Sequence, residues 1–90
     1  MPLVRTTVTG TDVLTMYSTP WCGYCTRLKR ALEREGIEFR EVDIEEDPAS
    51  ADYVMSINGG YATVPTIVLP DGTTLTNPAL PDLLSALRAA

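Results

Sequence analysis

The chain has 90 residues, of which 44% are hydrophobic and 21% charged, and it carries a net charge of -5. That length holds one small domain with a thin core, and the acidic balance argues against nucleic acid or an anionic membrane as a partner. No apolar run approaches the roughly 20 residues of a membrane span, and the opening stretch has neither the apolar segment nor the cleavage signature of a secreted chain, which points to the cytoplasm.

Residues 1–12 read as a lead-in, and residues 13–90 as the domain. The stretch VLTMYS (13–18) is short, β-rich and bounded by Asp12 and Pro20, so it is a strand. From Cys22 to Glu35 the pattern turns helical, with Leu28, Ala31 and Leu32 on one face and Gly36 as the stop. FREVDI (39–44) is the second strand. Asp47 then caps a helix with Pro48 at its first position, which runs to Asn58 and ends in Gly59-Gly60. PTIVL (65–69) and TTL (73–75) flank the turn Pro70-Asp71-Gly72 and pair as a hairpin. Leu80, Leu83, Leu84 and Leu87 form the apolar stripe of a last helix, with Pro81 in its first turn. The order β-α-β-α-β-β-α predicts a right-handed parallel βαβ unit followed by a hairpin and a helix, an α/β mixed sheet of four strands with three helices.

Both cysteines of the chain, Cys22 and Cys25, lie in STPWCGYC (18–25), where the first strand feeds the first helix. Structural zinc needs four ligands, and two cysteines without a histidine cannot supply them in one chain. A structural staple gains little, because a loop this short constrains little chain entropy and the cytosol is reducing. An inert pair of buried thiols remains as the bland alternative. Cys-x-x-Cys beside a βαβ pattern reads best as a redox pair.

Cys22 opens the helix, where the first amides have no internal partners. Cys25 falls on the core face with Leu28 and Leu32, and is expected to be buried and protonated at rest. A free cysteine is only about 3% thiolate at pH 7, and a working nucleophile needs roughly 3 kcal/mol of added stabilisation of the anion. The helix dipole supplies up to about 2 kcal/mol, so hydrogen bonds from the Tyr24 and Cys25 amides and the Cys25 thiol must add the remainder. Cys22 is thus the candidate nucleophile and Cys25 the resolving thiol, with Gly23 letting the backbone turn closely around the sulfur. The charges are also uneven. Arg27, Lys29, Arg30 and Arg34 follow the cysteines, while Glu41, Asp43, Glu45, Glu46 and Asp47 crowd into one stretch in and after the second strand. They read as two solvated faces, or as a basic field beside the thiols. Pro65, at the start of a strand, reads from its own context as an ordinary trans proline.

The set WCGYC (21–25), VDI (42–44), NGG (58–60), TVPT (63–66) and DGTTLTNP (71–78) resembles the glutaredoxins of the thioredoxin fold over residues 13 to 88. It is most similar to the mycoredoxins, the mycothiol-dependent glutaredoxins of actinobacteria. The resemblance implies a cis Pro65, with Val64 turned toward Cys22 to pair with an incoming disulfide. It implies that Trp21, Gly23, Tyr24, Thr63 and Val64 bind the low-molecular-weight thiol, with Thr76 and Asn77 at the far wall. It also implies a redox disulfide between Cys22 and Cys25, and no bound metal. Gly23 stands where many members carry proline. LTNP (75–78) stands where glutathione-using members carry small and acidic residues, and its neutral side chains suit the sugar hydroxyls of mycothiol.

The function so implied is a monomeric thiol–disulfide oxidoreductase that reduces mycothiol–protein mixed disulfides by a monothiol route, and protein disulfides by the dithiol route. Mycothiol is then the reducing co-substrate, with electrons coming ultimately from NADPH through a reductase, and no cofactor is held tightly. Two other expectations stay open: an iron–sulfur carrier with a 2Fe-2S cluster between two monomers, and a redoxin reduced directly by thioredoxin reductase.

Overall fold

The computed structural model describes residues 13–89, so the lead-in expected over residues 1–12 lies outside it. The elements follow as β1 (Leu14–Ser18), α1 (Gly23–Arg34), β2 (Phe39–Asp43), α2 (Pro48–Ile57), β3 (Thr66–Val68), β4 (Thr74–Thr76) and α3 (Leu80–Ala89). One four-stranded sheet has the order β2-β1-β3-β4. β1 and β2 are parallel, with Leu14 opposite Phe39 and Ser18 opposite Asp43. β3 runs antiparallel to β1, and β4 antiparallel to β3. This is the thioredoxin fold.

β1 shows why the sheet is covered on both faces. Its side chains alternate, and Leu14 and Met16 enter the same buried cluster as Cys25, Leu28 and Leu32 of α1 and Leu83 of α3. Tyr17 points the other way and meets Tyr53 of α2, the ring centroids 5.7 Å apart. Helices α1 and α3 therefore lie on one face and α2 on the other. The alternation of β1 and the helical spacing of α1 suffice to produce this layering. Of the leucine stripe expected in α3, Leu83 is fully buried, Leu80 and Leu87 pack against the cluster, and Leu84 is half-buried.

The element ends differ from expectation in ways that hydrogen bonding explains. Residue 22 caps α1 without belonging to it, and Glu35 is the C-cap. Ile44 lies beyond β2, yet its N–H still reaches the Ser18 carbonyl at 3.0 Å. The third strand is shorter than 65–69 because Pro65 has no N–H to give the ladder and Leu69 turns into the hairpin, its N–H on the Thr73 carbonyl at 2.8 Å. Gly72 sits at φ 94° in that turn, a backbone state that favours glycine. Asp47 precedes α2 as expected, but its side chain caps no backbone amide. It accepts instead from the Ser50 hydroxyl at 2.7 Å.

Candidate functional site

The backbone of β1 ends at Ser18, and the next four residues turn into α1. The Cys22 N–H closes the turn on the Thr19 carbonyl at 3.3 Å. Cys22 is extended (φ -84°, ψ 108°) and acts as the N-cap, a place usually taken by an oxygen side chain. Here a sulfur does that work, with the Cys25 N–H donating to Cys22 Sγ at 3.0 Å. Of the three donors expected at this sulfur, the Cys25 amide is the one that reaches it. The Cys25 thiol is engaged covalently, because the two residues form a disulfide with their Cα atoms 5.2 Å apart. Cys22 is 5% exposed and Cys25 1%, so Cys22 presents the outer edge of the pair. Gly23 lies on the open side, and a methyl group built there would meet nothing within 4 Å.

The second wall comes from the far ends of β3 and β4. The Val64–Pro65 peptide bond is cis. The Pro65 carbonyl accepts the Asn77 N–H at 2.8 Å, which brings LTNP against the proline loop. Asn77 itself sits at φ 46°, left-handed for a non-glycine residue but tolerated by asparagine. One side chain ties this region together. Asn58, the C-cap of α2, donates from Nδ2 to the Val54 carbonyl (2.9 Å) and to Thr66 Oγ1 (3.2 Å), and its Oδ1 accepts from Thr76 Oγ1 at 2.7 Å. Thr66 in turn donates to the Thr63 carbonyl at 2.8 Å. Two segments expected at the site, Thr63–Pro65 and Thr76–Asn77, are thus fixed by one residue that was not.

Tyr24 and Asn77 meet in a groove of about 430 Å³, lined also by Arg27, Leu28, Pro78 and Leu80. Tyr24 is 62% exposed, and the Arg27 guanidinium lies 5.9 Å from its ring centroid. Trp21 is also exposed, at 70%, but it turns away from this groove. Its indole Nε1 donates to Glu45 Oε2 at 2.6 Å, beyond the end of β2 and so across β1 from the Thr63–Pro65 wall. The expected ligand-binding residues therefore fall on two sides of Cys22. Tyr24, Asn77 and the proline loop lie on the β3–β4 side, and Trp21 on the β2 side.

The basic set divides as well. Lys29 pairs with Glu41 at 3.0 Å, and the Ser18 hydroxyl donates to the same carboxylate at 2.7 Å, which ties α1 to β1 and β2. Arg27, Arg30 and Arg34 make no ion pair among the described residues. No three His, Cys, Asp or Glu side chains converge as a metal site among those residues, and no described helix is long and apolar enough to cross a membrane.

Two residues escaped the sequence reading. Asn58 looked like a helix end and Glu45 like one acid among five. Only Asn58 carried a local signal, the NGG that pairs a capping asparagine with Gly59 and Gly60, both at positive φ.

Known proteins agree with this geometry. The family profile described as Glutaredoxin matches residues 14–73. A Mycobacterium tuberculosis (strain H37Rv) protein named as a glutaredoxin is 52% identical over 77 residues, covering 86% of this chain and 92% of its own. Mycoredoxin 1 of Corynebacterium glutamicum is 36% identical over 76 residues, covering 84% and 94%. Among solved structures, a glutaredoxin from Archaeoglobus fulgidus superposes with a TM-score of 0.72 at 28% identity, covering 88% of this chain and 89% of that one.

Proposed function

This chain belongs to the glutaredoxin family of thiol–disulfide oxidoreductases, and from that premise we propose that its substrates are mixed disulfides between protein cysteines and mycothiol. The observation that carries the reading is the Cys25 amide aimed at the Cys22 sulfur, 3.0 Å away at the start of α1. An amide in that place stabilises a thiolate once the disulfide is reduced, because it donates to charge and adds to the helix field.

Reaction begins with the Cys22 thiolate attacking the mycothiol sulfur of the mixed disulfide. The protein sulfur leaves as a thiolate and takes a proton from solvent, and Cys22 is joined to mycothiol. The thiolate of a second mycothiol attacks the mycothiol sulfur of that bond. Mycothiol disulfide leaves, and Cys22 is a thiolate again. Two electrons pass at each exchange, and Cys25 is not needed. On a protein disulfide, Cys22 first takes one protein sulfur, and the Cys25 thiolate then displaces it. That step leaves the Cys22–Cys25 bridge in which the pair stands here.

Mycothiol is favoured over glutathione by the walls of the groove. Tyr24, Pro78 and Leu80 offer apolar contact and Asn77 a neutral amide, and beside the cationic Arg27 and Arg34 the groove holds no carboxylate for the ammonium of a glutamyl end. The likeness to Mycoredoxin 1 points the same way. Trp21, Gly23, Thr63, Val64 and Thr76 complete the proposed binding set, with Trp21 facing the protein partner on the β2 side.

The test offers the oxidised protein mycothiol, glutathione or thioredoxin reductase in separate reactions and follows reduction of the Cys22–Cys25 bond. Reduction by mycothiol at a rate at least about tenfold above glutathione is expected. Equal rates would remove the thiol assignment, and reduction by thioredoxin reductase alone would replace it with a different electron donor. A brown dimer after anaerobic purification would assign iron–sulfur carriage instead of a colourless monomeric enzyme.

A further inference from the structure

The outer face of α1 supplies none of the atoms that exchange. Arg27, Arg30 and Arg34 fall within about 60° of arc on that face. With Gly23 and Thr26 they line an open groove of about 480 Å³ that starts at the residue following Cys22. Like charges three and four residues apart oppose helix formation, and the chain has 12 acidic residues with which it could neutralise them. Among the described residues it does so for Lys29 alone, through Glu41. Arg34 suits the helix C-terminus, where a cation complements the dipole. Arg27 lies over the Tyr24 ring, 5.9 Å from its centroid, and Arg30 has no such account among the described residues.

We propose that this arginine-lined face is a docking surface for an acidic stretch of the protein substrate, lying beside its reacting cysteine. The proposal rests on the exchange reaction at Cys22, since the groove begins there. From Gly23 to Arg34 the helix rises about 16 Å. An extended peptide covers that distance in about five residues, so the partner's acids belong at about two to five positions from its cysteine. A short acidic segment feels only charges within a Debye length of about 8 Å. In the groove it therefore meets three arginines and no carboxylate, while Glu41, Asp43 and Glu46 line a separate pocket that shares only Thr26 with it. A nucleic acid is larger, and the overall charge of -5 repels it. The low-molecular-weight thiol needs no such field, because its sugar is uncharged. Charged surfaces of this kind act mainly on encounter and register.

Two peptides test the proposal. Each carries one cysteine in a mixed disulfide with mycothiol, followed by four aspartates in one and four serines in the other. At about 20 mM salt the aspartate peptide is expected to show at least a tenfold higher kcat/KM, and at about 500 mM salt the ratio should fall below about two. Arg30→Glu, which lies outside the thiol groove, should reduce the advantage at least fivefold and leave the serine peptide unchanged, and Arg30→Lys should restore it. A ratio near one at low salt, or an advantage that survives Arg30→Glu, overturns the proposal. If neither peptide turns over, the mycothiol reading fails. The docking surface is then decided by fluorescence anisotropy of labelled, cysteine-free versions. Binding of the aspartate version that Arg30→Glu abolishes upholds the surface, and equal binding of the two versions refutes it.

Discussion

The amide of Cys25 donates to the sulfur of Cys22 across 3.0 Å, so one residue sets both its own sulfur and a backbone hydrogen bond against that sulfur, the first serving the proposed resolving step and the second the proposed nucleophile. The two roles separate by mutation. Cys25→Ser keeps the amide and loses the thiol, so it should retain release of mycothiol from proteins within about threefold of wild type and lose reduction of protein disulfides. Cys22→Ser should lose both, because a serine hydroxyl does not ionise near neutral pH. Alkylation of the reduced protein by iodoacetamide at pH 6 checks the assignment from another side. Modification should fall on Cys22, and a Cys25-first pattern would reverse the roles.

Trp21 owes its orientation to a carboxylate 24 residues away, since its indole N–H is held by Glu45 at 2.6 Å. Glu45→Ala should free the ring, raise acrylamide quenching of the single tryptophan, and cost less than about 1 kcal/mol of stability, because the bond is exposed. Glu45→Gln retains an acceptor and should leave quenching near the wild-type value. Identical quenching in all three proteins would show that the bond does not persist in solution.

Asn58 clamps Thr66 and Thr76 and closes its own helix. Asn58→Ala should destabilise the fold by about 1–3 kcal/mol, the cost of leaving half-buried partners unsatisfied. It should also raise KM for the mycothiol mixed disulfide severalfold, because the proline loop and Asn77 lose their shared anchor. Alkylation of Cys22 should be unchanged, since the turn around the sulfur does not involve Asn58. A fall in the alkylation rate would mean that the substitution loosens the whole site.

Leu32 is fully buried between α1 and the sheet. Leu32→Ala should cost about 2–5 kcal/mol, much of the roughly 5–15 kcal/mol available to a domain. Urea unfolding measures it directly, and a loss below about 1 kcal/mol would mean that the cluster closes over the cavity.

Burial pushes the Tyr17 phenol above its usual value of 10.0, Tyr53 and Asp47 push it further, and Arg40 opposes them. A raised folded value means that the native state holds its proton longer than the unfolded chain does. The associated stability is complete below pH 10 and fades as pH rises through the folded value. Tyr17→Phe should therefore flatten the loss of stability above pH 10. The same slope in mutant and wild type would place the alkaline transition elsewhere.

Much of this architecture could be read because its signals are local. The α1 face shows in the spacing of Cys25, Leu28 and Leu32, and the hairpin in Pro70-Asp71-Gly72. Strand ends were off by at most one residue, because pairing partners rather than propensity decide where a ladder stops. Trp21 could not be placed by sequence alone. Its direction depends on Glu45, which sequence ranks with four neighbouring acids. Asn58 failed for the same reason, with partners 8 and 18 residues away. The two cysteines at a strand-to-helix junction were legible as a neighbouring pair because both lie in one local turn.

Nothing crowds the Cα of Gly23. Its identity is accordingly free of the demands of packing and answers only to the two sulfurs on either side. Proline suits the first position of a helix, and alanine adds one methyl to open solvent without remodelling a neighbour. A side chain there can thus change the surroundings of the two sulfurs while the buried cluster to which they belong stays put, so evolution or an engineer can retune the pair from this one position.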